Sequence, residues 1–361
     1  MVEDAVPLGS LARALVIKLR HHGDVLLASP VFSVLKNHAP RIEIDALVYG
    51  DTAPMLSLHP AIAQVHVIER DWKRLGPLRQ ARAELALLAR LRARRYDLIV
   101  HLTEHRRGAW LTKLLQPRYA VAPSRPDADQ LWRKGFTHHY RQPKNARRHT
   151  VERNLDALRR IGVYPSEEER GLTLVPGEAA QERVAALLAG HGLADGGFVH
   201  VHPASRWLFK CWPVERNAEL LRQLHRRGER VVLTAAPDAQ ELRMVEGIVA
   251  AAGVPAVSLA GQLSLKELGA LSARAKLFVG VDSAPMHVAA AVGTPVVALF
   301  GPSGELEWGP WRVPHAVIAS RAHPCRPCGI DGCGGGKHSE CLASLPVSSV
   351  LEAADRLVAP A

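Results

Sequence analysis

Residues 197–236 read GFVHVHPASRWLFKCWPVERNAELLRQLHRRGERVVLTAA, and the fold is decided here. Two apolar runs, 197–202 and 230–235, flank a stretch, 213–227, with leucines at helical spacing. Two strands separated by a helix of that length cannot form a hairpin. They lie parallel, with the helix crossing over one face of the sheet. The alternation continues through helix 239–252, strand 256–260, helix 264–275, strand 277–281, helix 284–292 and strand 295–300. A helix at 177–190 precedes it.

An earlier series has the same character. Strands are expected at 14–19, 43–48, 64–68, 96–102 and 118–122, with the clearest helix at 77–94, where Leu78, Leu85, Leu88 and Leu91 recur amid arginines. The polar segment 123–149, carrying Pro, Arg and His, reads as a long loop. The expected fold class is therefore α/β, with two Rossmann-like domains facing a central cleft. Boundaries are set at 1–170 and 171–345, with a linker around 165–178. A last helix, within 346–361, is expected to pack near the domain junction.

The chain of 361 residues is long enough for two such cores. No apolar run approaches the roughly 18–20 residues of a membrane-spanning helix. The acidic start Met1-Val2-Glu3-Asp4, interrupted by Pro7 and Gly9, lacks a signal-peptide core, so a cytoplasmic location is expected. The formal net charge of +11 suits an anionic partner: nucleic acid, acidic membrane or phosphorylated glycolipid. Cys211 stands alone, whereas Cys325, Cys328, Cys333 and Cys341 cluster. In a cytosolic chain this argues against a disulfide framework.

Ligands of open parallel sheets bind beyond the carboxyl ends of the strands, and three motifs fall there. The first, Arg20-His21-His22-Gly23-Asp24, forms a loop or loose turn after strand 14–19. Ser29 is expected to cap the next helix, with Pro30 as its first residue. Gly23 permits close approach of a ligand, and Asp24 is placed to accept a proton from a sugar hydroxyl or to cap a turn. The second runs from His202 to Pro213. Its Ser205, Arg206 and Lys210 offer phosphate ligands. Trp207, Phe209 and Trp212 concentrate aromatic residues in a chain with only 5% of them. The third, Gly280-Val281-Asp282-Ser283-Ala284-Pro285-Met286-His287, enters a helix whose free amides suit a phosphate. Asp282 or Ser283 is expected to cap that helix, with Gly293 ending it. Neither a Gly-x-Gly-x-x-Gly nor a Walker loop occurs, which disfavours NAD and P-loop chemistry. No Asp-x-Asp points to a metal-bound sugar nucleotide. The four clustered cysteines, near His323 and His338, have the number for a structural zinc; free thiols in a surface loop are the alternative.

The run Lys18-Leu-Arg-His-His-Gly-Asp24-Val resembles the N-terminal signature of the ADP-heptose:lipopolysaccharide heptosyltransferases. So do Lys210-x-Trp-Pro, Val279-Gly-Val-Asp282-Ser283-x-x-x-His287 and Phe300-Gly-Pro-Ser. Arg-His-His-Gly-Asp, Ser-Arg-Trp-x-Phe-Lys-Cys-Trp and the cysteine-rich tail look most like the type III branch, which adds a side heptose to the inner core. The resemblance implies a GT-B glycosyltransferase, with the acceptor on the first domain, ADP-heptose on the second, and an inverting displacement without a required cofactor. It implies Asp24 as general base and Lys210 steadying the donor diphosphate, with Ser205 and Arg206 beside it. Asp282, Ser283, Ala284 and His287 then hold the diphosphate and heptose, while Arg20, His21, His22 and Gly23 meet the acceptor. Asp238 and Glu241 are both candidates for the ribose-binding acid, and the turn at Gly261, Gln262 and Leu263 serves adenine. Ala204 departs from the family pattern by lacking a hydroxyl. The implied partners are ADP-heptose, the lipopolysaccharide inner core and the inner face of the inner membrane, with no nucleic acid. Rival expectations are a type I or II enzyme, a protein heptosyltransferase and, from another class, a zinc-containing nucleic-acid-binding protein.

Overall fold

The structure, a computed structural model, describes residues 4–142 and 147–359. Residues 1–3 of the expected acidic start, residues 143–146 of the expected loop and residues 360–361 of the expected last segment lie outside the described residues. The chain divides into two compact units at Val175 and Pro176. The first contains β1 (Arg13–Ile17), α1 (His22–Leu26), α2 (Ser29–His38), β2 (Glu43–Tyr49), β3 (Gln64–Ile68), α3 (Pro77–Arg94), β4 (Leu98–His101), α4 (Arg106–Leu115), β5 (Tyr119–Pro123), α5 (Gln130–Gly135), β6 (His138–Tyr140) and α6 (Thr150–Arg160). Its strands are all parallel in the order β3-β2-β1-β4-β5-β6.

The second unit contains α7 (Glu178–Gly190), β7 (Phe198–His202), α8 (Val214–Arg226), β8 (Arg230–Leu233), α9 (Ala239–Ala252), β9 (Val257–Ser258), α10 (Leu265–Arg274), β10 (Leu277–Val281), α11 (Ala284–Ala291), β11 (Val296–Phe300), α12 (Glu305–Trp308), β12 (His315–Ala319), α13 (Glu340–Ala343) and α14 (Val347–Val358). These strands are also parallel, in the order β12-β11-β10-β7-β8-β9. Numbered within its own unit, each sheet has the strand order of a dinucleotide-binding fold. The order reverses beside β1 in one and beside β7 in the other.

The central strands are buried and largely apolar because helices cover both faces, with histidines as the polar exceptions in β4 and β7. β7, β10 and β11 are buried at every position. Three local expectations change. Segment 123–149 is not one loop: it carries α5 and the edge strand β6, held by Trp132, whose indole N–H donates to the Pro123 carbonyl at 3.0 Å. A tripeptide strand of His and Tyr gives too short a pattern to read. Residues 22–26 form the short helix α1 rather than a loop. Ser29 lies inside α2 after Ala28, without capping it, and its hydroxyl accepts from the Thr173 amide at 3.0 Å. The C-terminal helix α14 packs on the second sheet, against β10, β11, β12 and α8. Among the described residues no helix is long and apolar enough to cross a membrane.

Three histidines are buried in the central strands, His101 and His202 at strand ends and His200 in the middle of β7. His101, at the end of β4, lies over the ring of Phe136 at 5.7 Å, and burial holds it down to about 4. Burial also holds His202 down to about 3 and His200 well below its ordinary value of 6.5. The folded state keeps all three neutral, whereas the unfolded chain binds protons below about 6.5. Their contribution to stability is therefore complete above that pH and is lost as pH falls towards 4. Thermal melts at pH 7.5 and 5.0 are expected to show a clearly lower midpoint at pH 5.0. Equal midpoints would remove the assignment.

Candidate active site

In the first unit, β1 delivers Lys18 and the following loop to the carboxyl edge of the sheet. Asp24 sits in the first turn of α1, partly exposed, and among the described residues no group hydrogen-bonds its carboxylate. The turn-capping alternative is thereby not realised. Arg20 and His21 are exposed, and His22 reaches the Asp51 carbonyl with Nε2 at 3.0 Å. Gly23 makes the helix close: its carbonyl accepts from the Leu27 amide at 2.9 Å.

Beneath this loop lies a buried network that sequence reasoning missed. The Lys18 ammonium donates to Asn154 Oδ1 at 2.9 Å, and Asn154 Nδ2 donates to the Leu27 carbonyl at 2.9 Å. Burial pushes Lys18 down to about 8, while the nearby Asp24 carboxylate favours its charge. A lysine was visible in the motif, but its partner lies 136 residues away.

In the second unit, the loop after β7 brings Lys210 to Asp282, Nζ to Oδ2 at 2.6 Å. The pair is mostly buried, and Lys210 also lies 5.1 Å from the Trp207 ring centre. Ser205 is buried, with its hydroxyl accepting from the Trp207 amide at 3.4 Å. Arg206 is exposed. The three aromatic residues separate: Phe209 and Trp212 are buried, and Trp207 is open. Ser283 occupies the cap position of α11 but makes no side-chain cap; its hydroxyl donates to the Val281 carbonyl at 3.3 Å. The amides of Ser283 and Ala284 stay available for an anion, whereas Pro285 has none and the Met286 amide donates to the Ser283 carbonyl at 3.2 Å. His287 is buried one turn along, and Gly293, with φ of +83°, follows the helix end.

At the ends of β8 and β9 the structure separates the two candidate acids. Asp238 caps α9, accepting from the amides of Gln240 at 2.8 Å and Glu241 at 3.3 Å. Glu241 is buried, accepts from the Ala236 amide at 3.0 Å, and is raised by desolvation. Gly261 adopts φ of +71°, and its amide donates to the Ala235 carbonyl at 2.9 Å. That bond sets Gln262 and Leu263 beside the Pro237–Glu241 segment. Gln262 is exposed and Leu263 half-buried.

A second missed network runs under β7. His200 meets Ser272 Oγ with Nδ1 at 3.1 Å and Thr234 Oγ1 with Nε2 at 2.7 Å, and His202 Nδ1 meets the same Thr234 oxygen at 2.8 Å. Thr234 has a single hydroxyl hydrogen, so it donates to one of these two rings and accepts from the other, and burial keeps both imidazoles neutral.

Cys325, Cys328 and Cys333 are exposed and Cys341 is buried; all are free thiols. Burial, reinforced by the other three and opposed by Arg326, pushes Cys341 up. Among the described residues no three His, Cys, Asp or Glu side chains are arranged to hold a metal. The segment is fastened to the Lys210 loop, because Ser339 Oγ donates to the Phe209 carbonyl at 2.6 Å. Cys211 is pushed up to about 12 by burial, which leaves it inert as a nucleophile.

Two Rossmann-like units, one with a free carboxylate at its strand tips and the other with a lysine beside an uncapped helix start, suit transfer from a nucleotide-linked donor. Residues 84–337 match the model of glycosyltransferase family 9 (heptosyltransferase), and the chain belongs to that family. It is 37% identical over 295 residues to lipopolysaccharide heptosyltransferase 3 of Escherichia coli, covering 81% of this chain and 83% of that protein. The fold is similar to that of the family 9 glycosyl transferase from Veillonella parvula, with a TM-score of 0.84, 24% identity and 99% of each chain covered. It is also similar to E. coli heptosyltransferase WaaC with ADP-2-deoxy-2-fluoro heptose, with a TM-score of 0.73, 20% identity and 95% and 99% of the two chains covered. The protein is a glycosyltransferase.

Replacing Thr234 with valine leaves two buried imidazole nitrogens without their shared partner. Denaturant unfolding of Thr234→Val is expected to show a loss of about 1–3 kcal/mol. A neutral result would mean that the histidines are satisfied otherwise.

Proposed function

We propose that the protein transfers a heptose from ADP-heptose to a heptose of the lipopolysaccharide inner core, with inversion and without a metal. The observation that carries the donor half is the Lys210–Asp282 pair at the start of α11, where a cation and free amides meet. Support for the chemistry comes from the family and from the relative named as a type 3 enzyme. WaaC was solved with an ADP-heptose analogue, which fits the same donor. On this reading residues 1–170 take the acceptor and 171–345 the donor.

Asp24 acts as general base: a sugar hydroxyl is too weak an acid to ionise unaided, and a carboxylate accepts its proton as the new bond forms. Arg20, His21, His22 and Gly23 contact the acceptor. Lys210, Ser205, Arg206 and the amides at Ser283 and Ala284 balance the charge that develops on the leaving diphosphate. Asp282 fixes the Lys210 ammonium, and His287 contacts the heptose. Glu241 binds the ribose hydroxyls, since Asp238 is occupied as a helix cap, and Gln262 and Leu263 border the adenine. The basic surface and a lipid-linked acceptor imply peripheral contact with the inner face of the inner membrane.

Isothermal titration is expected to give micromolar-range binding of ADP-heptose that EDTA leaves unchanged, with UDP-glucose failing to bind. Absence of binding to both ADP and ADP-heptose would remove the reading. Asp24→Asn is expected to bind donor nearly normally while turnover falls by about two or more orders of magnitude. Full turnover would strip Asp24 of its role. For Lys210→Ala donor affinity is expected to fall, and an unaltered affinity would count against the phosphate contact.

A further inference from the structure

Helix α3 is amphipathic in an unusual sense. Its buried face, with Leu87 and Leu91, packs on the first unit's core, yet its opposite face also carries large apolar side chains between arginines. Leu78, Leu85 and Ala89 fall on one outward ridge with Arg82 and Arg92, at alternating spacings of four and three residues. Leu78 is 85% exposed and Leu85 65% exposed, where a solvated helix would carry charge. Beside the ridge, α4 presents Trp110, 51% exposed, and Leu114. Arg92 Nε donates to the Leu114 carbonyl at 3.4 Å, which joins the two helices into one surface.

The charge on this surface has one sign. Arg79, Arg82 and Arg90 have no acidic partner among the described residues, and Lys113 lies 5.7 Å from the Trp110 ring centre. The one acid of α3, Glu84, is turned aside to pair with Arg107, and α4 contains none. Protruding leucines, an exposed tryptophan and unopposed arginines together match the interface of a bilayer, where apolar side chains enter the acyl boundary and cations meet anionic headgroups. Nucleic acid would use the arginines but not the leucines.

The surface also adjoins the proposed acceptor loop. The turn Arg70–Arg74 runs directly into Leu75 and α3, and Arg70 is fixed by Asp51 at 2.9 Å and by the Arg20 carbonyl, to which its Nη2 donates at 3.0 Å. Arg94 pins the far end of α3 to the buried Asp45 at 2.7 Å. The helix is therefore anchored to the sheet at its far end and follows a turn that is bonded to the backbone of the acceptor loop at Arg20.

We propose that the outward ridge of α3, with Trp110 and Leu114 of α4, docks the protein on an anionic lipid bilayer and holds the acceptor loop at headgroup level. The inference locates the membrane contact of the proposed function and rests on that reading for its purpose. The test is co-sedimentation of the full chain with vesicles of phosphatidylethanolamine alone or mixed with phosphatidylglycerol. Wild-type protein is expected to bind the anionic vesicles and not the neutral ones. The double variant Leu78→Ser, Leu85→Ser is expected to lose about tenfold or more in partitioning, and each Arg→Gln change at Arg79, Arg82 or Arg90 roughly fivefold. Leu306→Ser, at an exposed leucine of the second unit, serves as the unaffected control. These side chains are exposed, so melting midpoints should not move. ADP-heptose binding measured in solution separates the two ideas: intact donor binding without vesicle binding overturns the docking face alone. Equal binding to neutral vesicles, or an undiminished leucine variant, overturns it as well. An oligonucleotide that binds through the same arginines, with the leucine variant unaffected, would reassign the face to nucleic acid.

Discussion

The reversal of strand order beside β1 and β7 governs where this protein can do chemistry. On either side of such a point the connecting helices pass to opposite faces, so the loops part and leave a crevice at the carboxyl edge. In the second unit the crevice depends on close approach of β10 to β7. A side chain at Gly280 would bring its Cβ within 2.9 Å of the His202 carbonyl oxygen. Glycine lets the strands stay in register, with Gly280 opposite His202, and two residues later the chain places Asp282 at Lys210. Ser283 then precedes α11 without a side-chain cap, so the same register that builds the sheet sets free amides beside Lys210, where the donor diphosphate is proposed to bind.

Polar groups buried under these loops do the positioning. Lys18 costs free energy to bury, as its depressed value records, and it is retained where it touches Asn154 and lies near Asp24. The bonds from Ser272 through His200 and Thr234 to His202 are likewise fully shared among their members. A network of that kind permits one arrangement and penalises others, which is what strand tips that carry ligand contacts require. The surface follows a different logic. The outer ridge of α3 leaves Leu78 and Leu85 in water, an unfavourable exposure that the proposed docking on a bilayer would relieve.

Much of the architecture was legible in the chain itself. The central strands were found to within a few residues, because parallel strands covered on both faces are continuous apolar runs and their crossover helices are long. The edges were not. β6 is three residues of His and Tyr, and β12 is only half-buried, so neither carries a periodic signal. The three motifs at strand tips were found for a related reason: the topology fixes where such tips must lie. Residues Lys18, Asn154, His200, Thr234 and Ser272 gained meaning only from their neighbours in space.

The sequence by itself determined the alternation of strands and helices, the two-unit α/β organisation, the absence of a long apolar span, and the motifs that mark family membership. These rest on local pattern and spacing, which survive without coordinates. Tertiary structure decided that Asp238 caps a helix while Glu241 is buried, that Ser283 leaves its helix uncapped, that Phe209 and Trp212 are core while Trp207 is open, and that Leu78 and Leu85 of α3 point outward while Leu87 and Leu91 point inward. Each of these depends on which groups meet across tens of residues of chain. Burial and hydrogen-bond partnership are properties of that meeting rather than of the residue.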